Sequence, residues 1–276
     1  MGWKQFFTPV KAMTAEEARA YIENHPEESM EIIDVRQPKE YKEGHIPGAK
    51  LIPLPQLTDR LDEIDAHKPV LAYCAVGGRS RAAAQTLAGK GFEEVYNIKG
   101  GYKAWQGQAA YGPEETGLEI FSGLESLEEV LVVAYGLEQG LKEFYLGLAE
   151  QVENESVVSL FHKLAGIEEK HKERIFAEYS RLAYSSLDQE TFERQTVARA
   201  MEGGMSSQEY FKRLQPDLES PRQVVDLAMA IEAQALDLYS RAAQRSEEEQ
   251  SVRFLQQLAS EEKMHLQQLG ELMEKV

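Results

Sequence analysis

Beyond Gly123 the sequence is organised by apolar residues that recur at alternating spacings of four and three. The first such stripe consists of Leu127, Leu131, Ala134, Glu138, Leu141, Tyr145, Leu148 and Val152. These spacings bring side chains to one face of an α-helix, so each stripe predicts a helix that buries one side. The pattern therefore predicts an all-α domain over residues 123–276.

The helical region contains an internal duplication at a constant offset of 94 residues, as from Glu138 to Glu232. The identical pairs are Glu138 and Glu232, Tyr145 and Tyr239, Leu164 and Leu258, Ala165 and Ala259, Glu168 and Glu262, and His171 and His265. The repeated unit is a helical hairpin. Residues 185–221 between the copies are long enough to cross a bundle, with a short helix predicted over 207–214. The duplication predicts a four-helix bundle.

Two of the predicted helices carry a Glu-x-x-His motif in the inward stripe, and the other two carry one inward glutamate each. The six residues are Glu138, Glu168, His171, Glu232, Glu262 and His265. Buried carboxylates are unfavourable unless a counter-charge neutralises them, and two metal ions would do so. Oxygen-rich ligation with one imidazole per ion suits iron, or alternatively manganese, better than a closed zinc site. If the helical register were off by a turn, these glutamates would face solvent instead.

This arrangement resembles the ferritin-like superfamily, in particular rubrerythrin-type and bacterioferritin-type proteins, over about residues 123–275. The resemblance implies that Glu168 and Glu262 bridge two irons. The remaining ligands would be Glu138 with His171 for one ion and Glu232 with His265 for the other. Ala235 stands where rubrerythrins carry a further glutamate. The chain has one cysteine and so lacks rubredoxin-like Cys pairs, which predicts an external electron donor.

Residues 30–106 are organised differently, with short apolar runs that alternate with amphipathic stretches. Strands are predicted over 31–35, 51–54, 70–73 and 94–98, and helices after a capping box at Thr14 and over 38–43, 58–65 and 80–89. This alternation predicts an α/β domain built on a parallel sheet with flanking helices. Residues 106–123 hold four glycines and show no sustained period, so the predicted domains are 1–107 and 123–276, with a linker over 108–122.

Cys74 lies where a predicted strand turns into a helix. The loop consists of Cys74, Ala75, Val76, Gly77, Gly78, Arg79 and Ser80. A helix N-terminus stabilises a thiolate, and the two glycines allow successive amides to converge on the sulfur. Arg79 adds a positive charge, so the loop predicts a nucleophilic cysteine. The alternative interpretation is that Cys74 is a small buried apolar residue.

Further motifs accompany this loop. They are Asp34-Val35-Arg36, Glu40-Tyr41, Gly44-His45-Ile46-Pro47-Gly48-Ala49, Pro53 and Gly100-Gly101-Tyr102-Lys103-Ala104-Trp105. Together with the loop they resemble the rhodanese, or sulfurtransferase, family over about residues 5–107. The resemblance implies that Cys74 accepts sulfane sulfur as a persulfide and passes it to a nucleophile, with Arg79 assisting and residues 75–78 and Ser80 forming the substrate-binding loop.

Two details refine this resemblance. Family members with a six-residue loop, as from Cys74 to Arg79, handle sulfur, whereas relatives with one more residue accommodate phosphate or arsenate. Ala75 stands where thiosulfate-using members often carry arginine, which leaves the sulfur donor open. Asp34 and Arg36 are expected only to brace the loop.

The net charge of the chain limits the kinds of binding partner that are expected. The formal charge is -17, and residues 111–276 hold 16 Lys and Arg against 32 Asp and Glu. Such a surface repels phosphate backbones, so no nucleic-acid partner is expected. No apolar run approaches the roughly 18 residues of a membrane span, and a single cysteine fits a reducing compartment. These features predict a cytoplasmic protein without a membrane partner.

The sequence thus predicts a sulfurtransferase fused to a di-iron or di-manganese module with oxidase, peroxidase-like or ferroxidase activity. The expected partners are a small sulfur donor, a thiol or cyanide-like acceptor, the external electron donor and a second copy in a homodimer. One alternative is an iron-storage or persulfide- or peroxide-sensing protein without turnover. Another is a scaffold that has lost one activity.

Overall fold

The computed structural model of the chain describes residues 10–121, 123, 125–182, 189–195 and 205–276. The chain divides into two compact units, Met1–Glu115 and Thr116–Val276. Part of the predicted connection over 185–221, residues 185–188 and 196–204, lies outside the described residues, as does residue 122 of the predicted linker. Among the described residues, no helix is long and apolar enough to cross a membrane.

The first unit is built on a five-stranded parallel sheet. The strands are β1 Lys11–Met13, β2 Glu31–Asp34, β3 Lys50–Leu51, β4 Val70–Tyr73 and β5 Val95–Ile98, in the order β1-β5-β4-β2-β3. The helices are α1 Ala15–Asn24, α2 Pro38–Glu43, α3 Gly78–Gly89 and α4 Gly101–Ala104. The central strand β4 is buried along its whole length, as expected where helices cover both faces of a parallel sheet. The predicted α/β fold class is confirmed.

Local sequence explains where the helices of this unit begin. The hydroxyl of Thr14 accepts a hydrogen bond from the Glu17 amide, and the Glu17 carboxylate accepts one from the Thr14 amide, which completes the predicted capping box. Helix α2 begins at Pro38, whose fixed φ and missing amide proton suit a first helical position.

Two local predictions were wrong, and one strand was not predicted. The strand predicted over 51–54 ends at Leu51, and the helix predicted over 58–65 is replaced by 3₁₀ turns at Leu54–Asp59 and Leu61–Glu63. Pro53 and Pro55 account for the short strand, because a proline has no amide proton for a strand ladder. Strand β1 was not predicted because its three residues are too few to show a period.

The second unit is a helical bundle, as predicted. Its long helices are α5 Leu127–Ala149, α6 Glu155–Leu182, α9 Pro221–Arg245 and α10 Glu249–Met273, and the short helices α7 Gln189–Gln195 and α8 Ser207–Leu214 lie between the two hairpins. Helix α5 packs along α6, and α9 packs along α10. Helix α8 has the bounds that the sequence predicts.

The apolar core of the bundle forms two clusters rather than one. One cluster contains Tyr135 and Tyr239, and the other contains Tyr145 and Val225. On each long helix the change from one cluster to the other occurs at the inward carboxylates: on α9, for example, Ile231 belongs to the second cluster and Ala235 to the first. The candidate ligands therefore lie in a polar layer between two apolar layers.

The start of α4 packs directly against the cysteine loop. The amide of Tyr102 donates a hydrogen bond to the Cys74 carbonyl at 2.7 Å, and the amide of Lys103 donates to the Ala75 carbonyl at 3.0 Å. Gly101 has a φ of 57°, and a Cβ added there would lie 2.1 Å from the Cys74 carbonyl oxygen. Only glycine fits this close approach.

We predict that Gly101→Ala destabilises the first unit more than Gly91→Ala. Both glycines have positive φ, which costs alanine about 1–2 kcal/mol, but Gly91 has open space around it. The overlap at Gly101 should add about 1–3 kcal/mol. The measurement is denaturant unfolding followed by tryptophan fluorescence, since both tryptophans of the chain precede residue 116. Equal destabilisation by the two changes would contradict the packing described for α4.

Candidate functional site

Cys74 follows β4 and precedes α3, at the edge of the sheet where the parallel strands end. Gly77, the residue before α3, adopts a φ of 96°, and this turns its amide back toward the cysteine. The Gly77 amide donates a hydrogen bond to Cys74 Sγ at 3.1 Å, and Ser80 Oγ lies 3.5 Å from the same sulfur. Cys74 itself is 1% exposed. The loop therefore surrounds the sulfur with hydrogen-bond donors.

These donors change the acidity of the thiol. Burial raises the pKa of Cys74, but hydrogen bonds from the Ser80 side chain and amide and from the Val76 and Gly77 amides outweigh burial. The net result is a pKa below the usual range of a cysteine thiol. A lowered pKa makes the thiolate, which is the nucleophilic form, available near neutral pH.

A polar side chain that the sequence did not suggest supports Ser80. Asn97 lies on β5, is almost fully buried, and places Oδ1 2.6 Å from Ser80 Oγ. A hydroxyl has one proton, so Ser80 donates either to Asn97 or to the cysteine sulfur at any moment. The one signal in the sequence was a polar residue inside an otherwise apolar strand.

Arg79 has a protein partner. Its Nη1 and Nη2 atoms each donate to one Glu40 carboxylate oxygen at 2.7 Å, which is a bidentate ion pair. The bond to Arg79 lowers the pKa of Glu40 to about 2 despite partial burial. The hydrogen bond to Glu40 is also the main cause of the raised pKa of Arg79, and the neighbouring Cys74 raises this pKa further. The sequence predicted a positive charge at Arg79 but not its pairing with Glu40.

The other predicted loop residues lie at the mouth of the site or behind it. Val76 is 64% exposed, whereas the Ala75 carbonyl faces α4. Arg36 is buried and pairs with Asp34, with Nη2 2.6 Å from Oδ2. Its guanidinium also lies over the Tyr102 ring, at 4.3 Å from the centroid. The Tyr102 amide donates to the Cys74 carbonyl, so Arg36 and its partner Asp34 are linked to the loop through α4, where the predicted bracing role would place them.

In the bundle, the six predicted ligands form two groups. The first is Glu138, Glu168 and His171, and the second is Glu232, Glu262 and His265. Within each group, one ligand atom per residue lies within 4.8 Å of the others. The rings of the two histidines stack at a centroid distance of 4.3 Å, so the two groups are neighbours.

The geometry of each group suits a cation. His171 Nδ1 lies 3.0 Å from Glu168 and 3.3 Å from Glu138, and His265 Nδ1 lies 3.0 Å from Glu262 and 3.6 Å from Glu232. All four glutamates are buried, while each histidine keeps a slightly exposed edge. An imidazole nitrogen and converging carboxylate oxygens are the donor set that iron or manganese prefers.

Glu168 provides a test of whether metal fits. Within the part of the chain that the structure describes, neither of its carboxylate oxygens accepts a hydrogen bond, although His171 Nδ1 lies 3.0 Å from one of them in an ion-pair contact. Burial, followed by the charges of Glu232 and Glu138, raises the pKa of Glu168 well above its usual range. Buried acceptors without donors, which repel one another, are the arrangement expected of groups that bind cations. The residues therefore fit a pair of metal ions.

Two neighbouring positions complete the description. Ala235 is fully buried in an apolar cluster and supplies no ligand. Lys172, next to His171, is also fully buried, and its ammonium contacts Glu193 at 2.8 Å and Glu169 at 3.4 Å. Its position was not predicted, because a lysine beside an inward residue normally reaches solvent.

The fold and these sites define two classes of protein: a parallel-sheet domain with a cysteine loop, and a helical bundle with two carboxylate–histidine groups. Family models match accordingly, one described as a rhodanese-like domain over residues 14–108 and one described as rubrerythrin over residues 129–273. The second match spans more than half of the chain. The chain therefore belongs to the rubrerythrin family and carries a rhodanese-like domain, as the sequence predicted. A rubrerythrin-type domain implies a di-iron carboxylate site.

Individual relatives are similar over part of the chain. The chain is 48% identical over 99 residues to the uncharacterized protein YqhL of Bacillus subtilis (strain 168), covering 36% of this chain and 75% of that protein. It is 35% identical over 88 residues to the thiosulfate sulfurtransferase GlpE of Ectopseudomonas mendocina (strain ymp), covering 30% and 81%. A rhodanese-like domain protein from Staphylococcus aureus, known as a crystal structure, is 31% identical, with 35% of this chain and 91% of that chain covered and a TM-score of 0.33.

We predict that the Cys74 thiol titrates below its usual range and that Ser80→Ala raises its pKa by about one unit. The reason is the loss of a hydroxyl donor to the thiolate, since hydrogen bonds to charged groups contribute about 1.5–3 kcal/mol and this one is long. The measurement is the rate of alkylation by iodoacetamide against pH.

The matched control is Thr86→Val on the same helix, because the Thr86 hydroxyl donates to a backbone carbonyl away from the sulfur. It should leave the pH profile unchanged. If Ser80→Ala also leaves it unchanged, the Ser80 proton belongs to Asn97 and the loop amides alone stabilise the thiolate.

Proposed function

We propose that the chain is a sulfurtransferase in which Cys74 carries sulfane sulfur as a persulfide, joined to a di-iron carboxylate module with oxidase, peroxidase-like or ferroxidase activity. The observation that carries the first part is the buried Cys74 sulfur surrounded by donors. The observation that carries the second is the pair of buried carboxylate–histidine groups.

Sulfur transfer takes two displacements at Cys74. The thiolate attacks the terminal sulfur of the donor, a new S–S bond forms, and the old bond to that sulfur breaks as the leaving group departs with the electron pair. With thiosulfate the leaving group is sulfite. An acceptor thiolate, or a cyanide-like nucleophile, then attacks the outer sulfur of the Cys74 persulfide and regenerates the thiolate.

The loop residues have distinct roles in these steps. The Val76, Gly77 and Ser80 amides hold negative charge at the sulfur, both in the thiolate and in the persulfide. Gly77 and Gly78 allow the loop to turn without side chains above the sulfur. Arg79 offers a positive charge at the rim, which Glu40 moderates. Ala75 and Val76 form the surface that a donor or acceptor meets first.

In the bundle, Glu138, Glu168 and His171 would hold one ion, and Glu232, Glu262 and His265 would hold the other. Bound iron would supply redox chemistry toward O2 or peroxide, and manganese is the alternative metal. The chain contributes a dry setting, because apolar clusters lie on both sides of the ligands. With one cysteine in the chain, electrons for this module come from an external donor. A homodimer is the proposed assembly.

We predict that incubation with a sulfane donor adds the mass of one sulfur atom to the protein, at Cys74. Since Cys74 is the single cysteine, intact-protein mass spectrometry assigns the site directly. Added cyanide should remove the sulfur and yield thiocyanate. The Cys74→Ser protein should gain no mass. An unmodified wild-type thiol with every donor tested would overturn the proposed transfer.

We predict two metal ions per chain after anaerobic addition of Fe(II), measured by elemental analysis, and a raised melting temperature of the bundle. A ligand at a hundred times its Kd stabilises by about 2.7 kcal/mol. Glu168→Gln should lower the metal content and remove the stabilisation by iron, while the metal-free protein is at least as stable as wild type, because a repelling charge is gone.

The control for this experiment is Glu173→Gln, an exposed change on the same helix that should behave as wild type. Wild-type metal content in the Glu168→Gln protein would show that the ions bind elsewhere. Iron that is retained without oxidation of any substrate would favour the storage or sensing alternative.

A further inference from the structure

The rim of the Cys74 site has an unusual balance of charge. Arg79 is the one cation of the loop, and both of its terminal nitrogens are bound by Glu40 at 2.7 Å. The side chains of Arg79 and Glu40 are 35% and 33% exposed, so a donor that approaches the sulfur meets the pair rather than a lone guanidinium. The pair carries no net charge.

Other cations near the loop do not replace Arg79. Arg36 is buried and neutralised by Asp34. Arg81 and Lys103 follow the loop in α3 and α4 but are exposed, so solvent and salt screen them. A dianion at the mouth of the site therefore faces the Glu40 carboxylate without an uncompensated positive charge held by the protein.

The same rim offers an apolar surface. Val76, two residues after the cysteine, is 64% exposed, which makes it the most exposed large hydrophobic residue in the described part of the chain. Its neighbour Ala75 adds a methyl group. An apolar group on the donor, next to the sulfur that is transferred, would remove this surface from water, which favours binding.

We propose that Glu40 and Val76 set the donor specificity of Cys74, against dianionic donors such as thiosulfate and in favour of singly charged donors that carry an apolar group. The inference rests on the proposed sulfur transfer at Cys74. Organic thiosulfonates represent the favoured class. Cys74 thiolate attacks their terminal sulfur, the new S–S bond forms, and the bond to the sulfonyl sulfur breaks with release of a sulfinate, so that charge and atoms balance as with thiosulfate.

The test compares kcat/KM for thiosulfate, methanethiosulfonate and benzenethiosulfonate, with cyanide as acceptor. Glu40→Gln should raise kcat/KM for thiosulfate relative to methanethiosulfonate by about fivefold. Thiosulfate carries one more negative charge than methanethiosulfonate. Two unit charges about 4 Å apart in water interact by about 1 kcal/mol, which corresponds to about fivefold in kcat/KM. Most of the change should appear in KM, since the loop amides that stabilise the thiolate are untouched.

Glu43→Gln is the matched control. It removes the same charge from the same helix, but Glu43 is exposed and does not pair with Arg79, so the ratio of the two donors should stay at the wild-type value. The glutamine at position 40 retains a side-chain carbonyl that can accept from the Gln37 amide, as Glu40 does, so the start of α2 is preserved.

Val76→Ala tests the apolar part. It should reduce the preference for benzenethiosulfonate over methanethiosulfonate by about fourfold for each methyl group that no longer contacts the ring. Because both thiosulfonates carry one negative charge, the charges at the rim affect them equally and do not change this ratio. The iodoacetamide pH profile of Val76→Ala should match wild type, which separates specificity from a change in the thiolate. Glu40→Gln leaves Arg79 uncompensated beside Cys74, so its effect is measured as a ratio between donors that react with the same thiolate.

The outcomes distinguish this inference from the proposed function. If wild-type Cys74 gains sulfur from none of the three donors, sulfur transfer itself is wrong. If it gains sulfur from all three, but Glu40→Gln and Glu43→Gln give the same donor ratio, transfer stands and Glu40 does not set specificity. A wild-type preference for thiosulfate over both thiosulfonates would overturn the inference as well.

Discussion

The second unit depends on the burial of four carboxylates in one bundle core. The groups are Glu138, Glu168, Glu232 and Glu262, and the charged groups beside them are His171 and His265. Two protonated imidazoles would balance at most two of four negative charges. Two divalent cations balance all four and leave the imidazoles neutral, which is the form that binds metal. The charge of the donor set thus fits two ions better than one ion or none.

The division of the core helps to explain how these ligands stay in place although they have few hydrogen-bond donors around them. On each long helix, apolar residues at both sides of the ligands belong to different clusters, so packing fixes the helix above and below the polar layer. Close-packed interiors resist collapse. A carboxylate such as Glu168 is therefore held toward its neighbours even where they repel it, and the site is preorganised for cations.

The sequence was sufficient for features that arise within one helix or one loop. Helical period alone placed Glu168 and Glu262 inward, and the strand-to-helix turn alone predicted donors around Cys74. Contacts between distant segments had no local signal: Arg79 binds Glu40, 39 positions earlier, and Ser80 contacts Asn97, 17 positions later. The 3₁₀ turns after β3 were missed because eight amphipathic residues do not distinguish a short helix from successive turns.

The two sites stabilise negative charge in opposite ways. At Cys74 the stabilising groups are amides and a hydroxyl that belong to the fold, so the thiolate environment is complete in the chain itself. In the bundle four buried carboxylates face two histidines, so the donor set suits cations that come from outside the chain. We therefore expect metal availability to change the stability of the bundle core, whereas the acidity of Cys74 depends on the geometry of one loop. The Arg79–Glu40 pair at the rim of that loop is adjustable, because its charges are partly exposed and can exchange partners.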